Sequence, residues 1–236
     1  MIILIAIIGF GYHSLVTKDS LFFSGIETGK VNIYAFDGNN LTQITQASGN
    51  SKNWSPASGL DGRLYFVSDR DGKADIYRIN QFGKVERVTN TPGQAKSWSP
   101  TSSQDGTLYF VSDRDGKADI YRINQTGKVE RVTNTLRQAE SWSPASITDG
   151  YLYFVSNRDG KTEIYRINQV GKVERVTNTP GKAESWAPMA LGEGIYFTSN
   201  KSGRDEIYRL GNPAVAIPNI ENWTKQSPLE GKFSYY

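Results

Sequence analysis

The chain has 236 residues, of which 37% are hydrophobic and 12% aromatic, so it is long enough to bury one sizeable core and is unlike a disordered chain. Its 27 basic and 24 acidic residues give a formal net charge of +3 without clustered Lys and Arg, which argues against nucleic acid as a partner. The absence of cysteine excludes disulfide bonds and thiolate metal sites.

Residues 1–20 form an apolar leader. Residues 2–10 are apolar and uncharged, and the first cation is Lys18, so the positive region of a signal peptide is missing. A membrane span needs roughly 18 or more apolar residues, so residues 2–10 are too short to form one. Two interpretations stay open: a truncated signal or anchor, which indicates a periplasmic or envelope protein that contacts the membrane only if the segment is an anchor, or a closing β-strand in residues 1–10, which would allow a cytoplasmic protein.

A long repeat follows the leader. Residues 64–100 recur over residues 108–144 with substitutions at only four positions, and four tryptophans are spaced 44 residues apart, a period typical of modular repeat folds. These anchors are Trp54, Trp98, Trp142 and Trp186. Short β-branched and aromatic runs between turn residues predict four strands in each repeat: A near residues 96–99, B at 64–68, C at 75–80 and D at 85–89.

Strand B is apolar on both faces, because Leu64 and Phe66 alternate with Tyr65 and Val67. A strand that is buried on both sides needs a neighbouring sheet on each side, as in the blades of a propeller. Strand D is mixed in polarity and fits an outer edge. We therefore predict an all-β fold, a β-propeller of four-stranded antiparallel blades, as a single domain over residues 21–236.

The blade count depends on the divergent ends of the chain. Residues 21–45 supply strands B to D of a first blade, with Phe23 and Tyr34 in the places of Phe66 and Tyr77. Residues 195–210 and 214–220 supply a fifth blade, and residues 222–228 look like a strand A that closes the ring on the first. Residues 231–236 resemble another strand B, so a sixth blade that includes residues 2–8 is the alternative. We favour five blades.

The repeated motifs W-S-P, D-G-x-L-Y-F-V-S-D-R-D-G-K-x-D-I-Y and V-x-R-V-T-N resemble the TolB-like β-propeller repeat, which also occurs in prolyl-oligopeptidase-type enzymes. The resemblance covers residues 21–228. It implies a bacterial, often periplasmic, propeller that binds another protein. TolB proteins carry an α/β domain ahead of the propeller, and only about 20 residues precede the first repeat here.

The loop S-D-R-D-G-K-A-D at residues 68–75 has two interpretations. Its carboxylates and glycine suit calcium, which takes six to eight oxygen ligands, but the bidentate Glu that closes an EF-hand loop is absent. We favour a hairpin in which Asp71 and Gly72 form the turn and Asp69 accepts hydrogen bonds from backbone amides. No cofactor is therefore expected, with Ca²⁺ as the alternative.

The W-S-P motif favours packing over ligand binding, because a binding site normally breaks the symmetry of a repeat. We place the tryptophans between blades and expect the proline to end strand A, since it donates no ladder hydrogen bond.

The charged loop residues are the candidate partner-binding face. The B–C and D–A connections of a meander lie at the same end, which gathers paired charges there. These residues are Arg70, Asp71, Lys73, Arg114, Asp115, Lys117, Arg158, Asp159, Lys161, Lys201 and Arg204.

The residue types in this chain argue against an enzyme. The only histidine is His13, cysteine is absent and no G-x-S-x-G motif occurs, which removes the usual nucleophile and base pairs. We expect a monomeric, non-catalytic protein-interaction module of the bacterial cell envelope with another protein as its partner. The alternatives are an accessory propeller of a prolyl-oligopeptidase-type hydrolase and a carbohydrate-binding propeller.

Overall fold

The computed structural model describes residues 7–8, 20–59, 62–80, 82–136, 138–191, 194–211 and 215–216. Within these ranges the chain forms 20 β-strands and no helix, so none of the described elements is a helix that could cross a membrane. The strands form five four-stranded sheets, and in each sheet consecutive antiparallel strands pair. The fold is a five-bladed β-propeller, which confirms the predicted class and favours five blades over six.

The four strands of each blade are denoted A to D in chain order. Blade 1 comprises β1 (Ile7–Ile8), β2 (Leu21–Glu27), β3 (Lys30–Phe36) and β4 (Leu41–Gln43); blade 2 comprises β5 (Asn53–Ser58), β6 (Leu64–Ser68), β7 (Asp75–Ile79) and β8 (Val85–Arg87); blade 3 comprises β9 (Ser97–Ser102), β10 (Leu108–Ser112), β11 (Asp119–Ile123) and β12 (Val129–Arg131). Blade 4 comprises β13 (Ser141–Ser146), β14 (Leu152–Ser156), β15 (Glu163–Ile167) and β16 (Val173–Arg175), and blade 5 comprises β17 (Ser185–Leu191), β18 (Gly194–Ser199), β19 (Glu206–Arg209) and β20 (Val215–Ala216).

Contacts divide the chain into two compact units, and the boundary follows Thr133. Unit 1 contains blades 1 to 3, and unit 2 contains blades 4 and 5. In unit 1, β1 pairs with β2, so that Ile7 and Ile8 of the leader supply strand A of blade 1. The rest of residues 1–19, including His13, and the strands expected at residues 222–228 and 231–236 lie outside the described residues.

Strand B forms the core of each blade. All five residues of β6 are buried, and Phe66 stacks on Tyr77 of strand C with ring centroids 6.0 Å apart. The predicted equivalents in blade 1, Phe23 and Tyr34, stack in the same way at 5.9 Å. Burial on both faces of strand B is therefore confirmed, as is the correspondence between the first blade and the central ones.

Neighbouring blades pack through apolar side chains. One core cluster joins Val67 and Ile76 of blade 2 to Phe110 of blade 3, and Trp54 and Trp98 pack against it. In unit 2, Trp142 and Trp186 pack against a cluster drawn from blades 4 and 5. The placement of the tryptophans in inter-blade packing is thus confirmed.

The expectation that proline ends strand A is wrong. Strand A of blade 2 continues to Ser58, and its pairing with strand B shifts between Trp54 and Ala57. The shift leaves Ser55 and Pro56 in a β-bulge, where one extra residue needs no ladder partner, so the missing N–H of proline has no cost. Ser55 has a φ of 49° there, and the equivalent residues in blades 3 to 5 have φ values of 47° to 49°.

The bulge generates a prediction about Ser99, whose φ is 49°. Ser99→Val should lower the free energy of unfolding by about 1–2 kcal/mol, because a β-branched residue is strained in the left-handed region. Ser99→Ala should be nearly neutral, since Ala187 holds the same conformation in blade 5. Urea unfolding measures both, with Thr101→Val in the same strand as the control. Equal losses for Ser99→Val and Thr101→Val would contradict the assignment.

Candidate docking surface

The expected charged face lies on the B–C and D–A connections. Consecutive antiparallel strands place these connections at the same end of a blade. We call this the loop end of a unit. In unit 1 it comprises residues 26–31, 44–52, 69–74, 88–96 and 113–118, and in unit 2 residues 138–140, 157–162, 176–184 and 200–205. All eleven charged residues named from the sequence lie at the loop end of their own unit.

The arginines of this set are engaged in contacts within the fold. The Arg70 guanidinium lies 4.9 Å from the centre of the Tyr77 ring and donates to Asn53 Oδ1 at 2.8 Å. Arg114 lies 4.7 Å from Tyr121, and Arg158 repeats the contact on blade 4 at 4.8 Å from its tyrosine. Burial lowers the pKa of Arg114. Each arginine is thus held by contacts within its own blade, so that less of its guanidinium group is accessible to a partner.

The aspartates of the set are also bonded within their blades. Asp71 accepts the Tyr77 hydroxyl at 2.6 Å and lies 3.5 Å from Arg87. The same contacts are made by Asp115, to the Tyr121 hydroxyl and to an arginine of strand D, and Asp159 accepts the tyrosine hydroxyl of blade 4 at 2.7 Å. Half of the Asp71 side chain remains exposed.

Two of the four lysines of the set bind the D–A connection. Lys73 Nζ donates to the carbonyl oxygens of Thr91 and Gly93, and Lys161 makes the equivalent bonds in blade 4. Lys117 is half-buried at the same position of blade 3. In blade 5 the pattern changes: Lys201 lies 3.9 Å above the Tyr208 ring, and Arg204 pairs with Glu206 at 2.8 Å. The docking role of the eleven residues stays a prediction.

Sequence reasoning missed a buried carboxylate at the start of strand C. Asp75 is fully buried, and its oxygens accept hydrogen bonds from Thr89 Oγ1 at 2.7 Å, Thr91 Oγ1 at 2.6 Å and Arg87 Nη2 at 2.5 Å. Asp119 and Glu163 hold the same place in blades 3 and 4. We call this arrangement the carboxylate network. It ties strand C to strand D and to the D–A connection.

The sequence does contain a signal for this network. An acidic residue stands at the start of an otherwise apolar strand, and Arg, Thr and Thr follow 12, 14 and 16 residues later in each central repeat. Blade 1 lacks the charge on both sides: Asn32 replaces the carboxylate and accepts Thr45 Oγ1 at 3.3 Å. Gln43 replaces the arginine and donates to Thr45 O at 2.7 Å, as Arg87 donates to Thr89 O at 2.9 Å.

In blades 2 and 4 the network lowers the pKa of its buried carboxyl group. Burial alone raises the pKa of Asp75, but the hydrogen bonds from Thr91, Thr89 and Arg87 outweigh burial and lower this pKa below its ordinary value. The same balance of burial against hydrogen bonds lowers the pKa of Glu163.

Blade 5 builds its acidic position differently. Glu206 stands at the start of its strand C, and hydrogen bonds from Tyr208, Ser202 and Arg204 lower its pKa to about 2. The bonds that hold this carboxylate therefore come from strand C itself and the B–C loop that precedes it.

The B–C loop has the geometry of the favoured hairpin. Gly72 N–H donates to Asp69 O at 2.9 Å, Gly72 has a φ of 92° that suits glycine, and Asp69 Oδ1 accepts the Lys52 N–H at 2.6 Å. Asp69 thus binds a backbone N–H, whereas Asp71 and Asp75 both lie beside Arg87. In the part of the chain that the structure describes, no three His, Asp or Glu side chains are grouped to hold a metal. The expectation of no cofactor stays a prediction.

One surface feature varies between blades in a paired way. The residue before strand A donates its N–H to an Asx side chain at the start of the next B–C loop, and these two residues form what we call a junction pair. The pairs are Lys52 with Asp69, Lys96 with Asp113, Glu140 with Asn157 and Glu184 with Asn200. Lysine thus occurs with aspartate and glutamate with asparagine, which avoids two like charges in contact.

Residues 50–227 match the model of a family described as Repeat of unknown function (DUF6923). The chain belongs to this family. No curated protein matches this DUF6923 chain.

Solved structures show how widely the DUF6923 chain shares its fold. TolB from Acinetobacter baumannii has a TM-score of 0.63 at 22% identity, and the match covers 89% of this chain and 51% of TolB. A puromycin hydrolase has a TM-score of 0.62 at 13% identity over 84% of this chain and 35% of the hydrolase. A streptogramin B lyase has a TM-score of 0.59 at 20% identity over 90% and 66% of the two chains. The chain thus spans about half of that TolB, and the shared feature is a TolB-like propeller fold.

The carboxylate network predicts a specific rescue. Asp75→Asn should lower the free energy of unfolding by about 2–3 kcal/mol, because it removes the fully buried partner of Arg87 and leaves only the half-exposed Asp71 beside it. Adding Arg87→Gln should recover at least half of this loss, since the neutral residues Asn32 and Gln43 stand at these positions in blade 1 and both bond to Thr45. Urea unfolding measures both variants. A double variant less stable than Asp75→Asn would show that the two sites are not coupled in this way.

The lowered pKa values of Asp75 and Glu163 predict the sign of the pH dependence. A carboxyl whose pKa is lower in the folded state stabilises the fold above its unfolded pKa of about 4, and the contribution is lost as the pH falls through the folded pKa. Wild-type unfolding free energy should therefore drop below about pH 4, and less steeply for Asp75→Asn/Arg87→Gln. Identical slopes for the two proteins in acid unfolding would contradict this assignment.

Proposed function

We propose that this TolB-like propeller is a non-catalytic protein-interaction module of the bacterial cell envelope, and that it docks another protein at the loop end of unit 1. The observation that supports this most is that some charged loop-end residues are bonded within the fold and others are not. The loop-end charges Arg70, Asp71 and Lys73, which the central blades share, are bonded within the fold, whereas nearly identical blades differ at the loop-end position that holds the exposed Lys96 in blade 3 and a half-buried glutamate in blade 4. Positions that the fold does not require are available for recognition.

Blade 1 adds an apolar element to the same end of unit 1. Its B–C hairpin has a tight turn at Thr28 and Gly29, with φ values of 49° and 79°, in place of the longer loop of the central blades. Ile26 in this hairpin is 48% exposed. An exposed apolar side chain at the end of the unit that also carries Lys52 and Lys96 fits a protein contact with an apolar centre and a polar rim.

The absence of catalysis is proposed from the residue inventory. The sequence has one histidine, His13, and no cysteine, and the buried carboxylates Asp75, Asp119 and Glu163 are held by arginine and threonine. A carboxylate fixed in this way is poorly placed to exchange a proton with a substrate. We further propose that the protein acts as a monomer without a cofactor.

The cell envelope is proposed from the likeness to TolB propellers and from the apolar leader. Neither feature is specific to the envelope, so the crosslinking experiment below tests the location together with the partner.

An accessory propeller of a hydrolase is the second candidate. The match to puromycin hydrolase covers 84% of this chain but only 35% of the hydrolase, so that a propeller of this kind can be one part of a larger enzyme. A catalytic chain that co-purifies with this protein and gains or loses peptidase activity with it would favour this candidate over the first.

Site-specific photo-crosslinking in living bacteria tests the proposed surface. A crosslinking residue in place of Gln94, which is exposed at the loop end of unit 1, should capture one discrete protein in the envelope fraction. The same residue in place of Phe82, which is 83% exposed on a C–D hairpin at the opposite end, should capture none. The same adduct from both positions, or adducts found only in the cytosol, would contradict the proposal.

A further inference from the structure

The junction between blades 4 and 5 includes a hydrogen bond that depends on glutamate. Glu184 Oε1 accepts the N–H of Thr162 at 3.2 Å, and Ser185 N–H donates to Thr162 O at 3.1 Å. The junction between blades 2 and 3 has the same backbone contact, from Ser97 N–H to Ala74 O at 2.9 Å. The N–H of Ala74 therefore faces the position that corresponds to Glu184.

That position holds Lys96 in blade 3. An ammonium group only donates hydrogen bonds, so Lys96 cannot accept from Ala74 N–H as Glu184 accepts from Thr162. Within the described residues no acceptor is recorded for this amide, although Ala74 is only 8% exposed. A buried amide without an acceptor destabilises a fold. Lysine is thus the less stable choice at this junction, so the needs of the fold do not explain its presence.

The lysines themselves point outward. Lys52 and Lys96 are both exposed, and they stand at the same place in neighbouring blades of unit 1. In the junction pairs, Asp69 accepts the backbone N–H of Lys52 and Asp113 accepts that of Lys96, both at 2.6 Å. Neither the Lys52 nor the Lys96 ammonium group forms an ion pair with a residue that the structure describes, so both charges are available to a ligand.

The remaining acidic groups of this surface are bonded within the fold. Asp71 lies 3.5 Å from Arg87, Asp115 lies 3.7 Å from Arg131, and Glu27 accepts the Tyr34 hydroxyl at 3.0 Å. The loop end of unit 1 carries seven Lys and Arg against five Asp and Glu, so its charge balance is positive. We infer that Lys52 and Lys96 bind an acidic segment of a protein partner; this rests on the proposed function and names the chemistry of the partner it would dock.

Blade 4 supplies a matched variant for the test. Lys96→Glu with Asp113→Asn converts the junction pair of blade 3 into the Glu140 and Asn157 pair. Fluorescence anisotropy with labelled poly-L-glutamate at low ionic strength should show binding to the wild-type chain, and about tenfold weaker binding to this variant. Adding Lys52→Glu with Asp69→Asn should weaken binding further. The Tm of the first variant should equal or exceed that of the wild type.

The control is Lys84→Gln, on an exposed hairpin at the opposite end of blade 2. It changes the net charge by one unit, as the exchange in blade 3 does, because Lys→Glu removes two units and Asp→Asn restores one. It should leave poly-L-glutamate binding unchanged. The inference is overturned if the wild type does not bind, if Lys84→Gln weakens binding equally, or if the exchange lowers the Tm. A crosslinked partner at position 94 together with no poly-L-glutamate binding would refute this inference alone and leave the proposed function standing.

Discussion

Each central blade depends on one buried carboxylate at the start of strand C. A single group such as Asp75 accepts hydrogen bonds from strand D and from the D–A connection, and so it fixes the chain that leads into the next blade. Removing a carboxylate from water costs free energy, and the paired arginine and two threonines offset that cost. In blade 1 the neutral side chains of Asn32 and Gln43 stand at the positions of the charged pair, and both bond to Thr45, so the link between strand C and the D–A connection forms there without charge.

The same contacts limit which surface residues can serve a partner. The arginine, aspartate and lysine of each central B–C loop look like a solvated charge cluster in the sequence. In the fold, Arg70 stacks on Tyr77, Asp71 accepts a tyrosine hydroxyl, and Lys73 holds the D–A connection. Repetition of a charged residue in the central blades therefore reflects a packing need that these blades share.

The sequence predicts the regular parts of this fold well. The 44-residue period and the two apolar faces of strand B are enough to indicate propeller blades, because alternation along a strand fixes both faces at once, whereas the number of blades depends on the divergent ends of the chain. It does not reveal the bulge at Ser55 and Pro56, since a backbone φ of 49° leaves no pattern in residue types. Nor does residue type alone separate the bonded cations from the exposed ones: the fold places Arg114 against the Tyr121 ring and leaves Lys96 exposed.

We predict that the junction with Lys96 lacks a hydrogen bond that the junction with Glu184 makes. Amide hydrogen exchange of the wild-type protein, resolved by residue, tests this most directly, because exchange rates report whether a particular N–H is bonded. The Ala74 amide should exchange markedly faster than the Thr162 amide. Equal protection of the two amides would contradict this prediction, since the Ala74 amide would then be hydrogen-bonded as the Thr162 amide is.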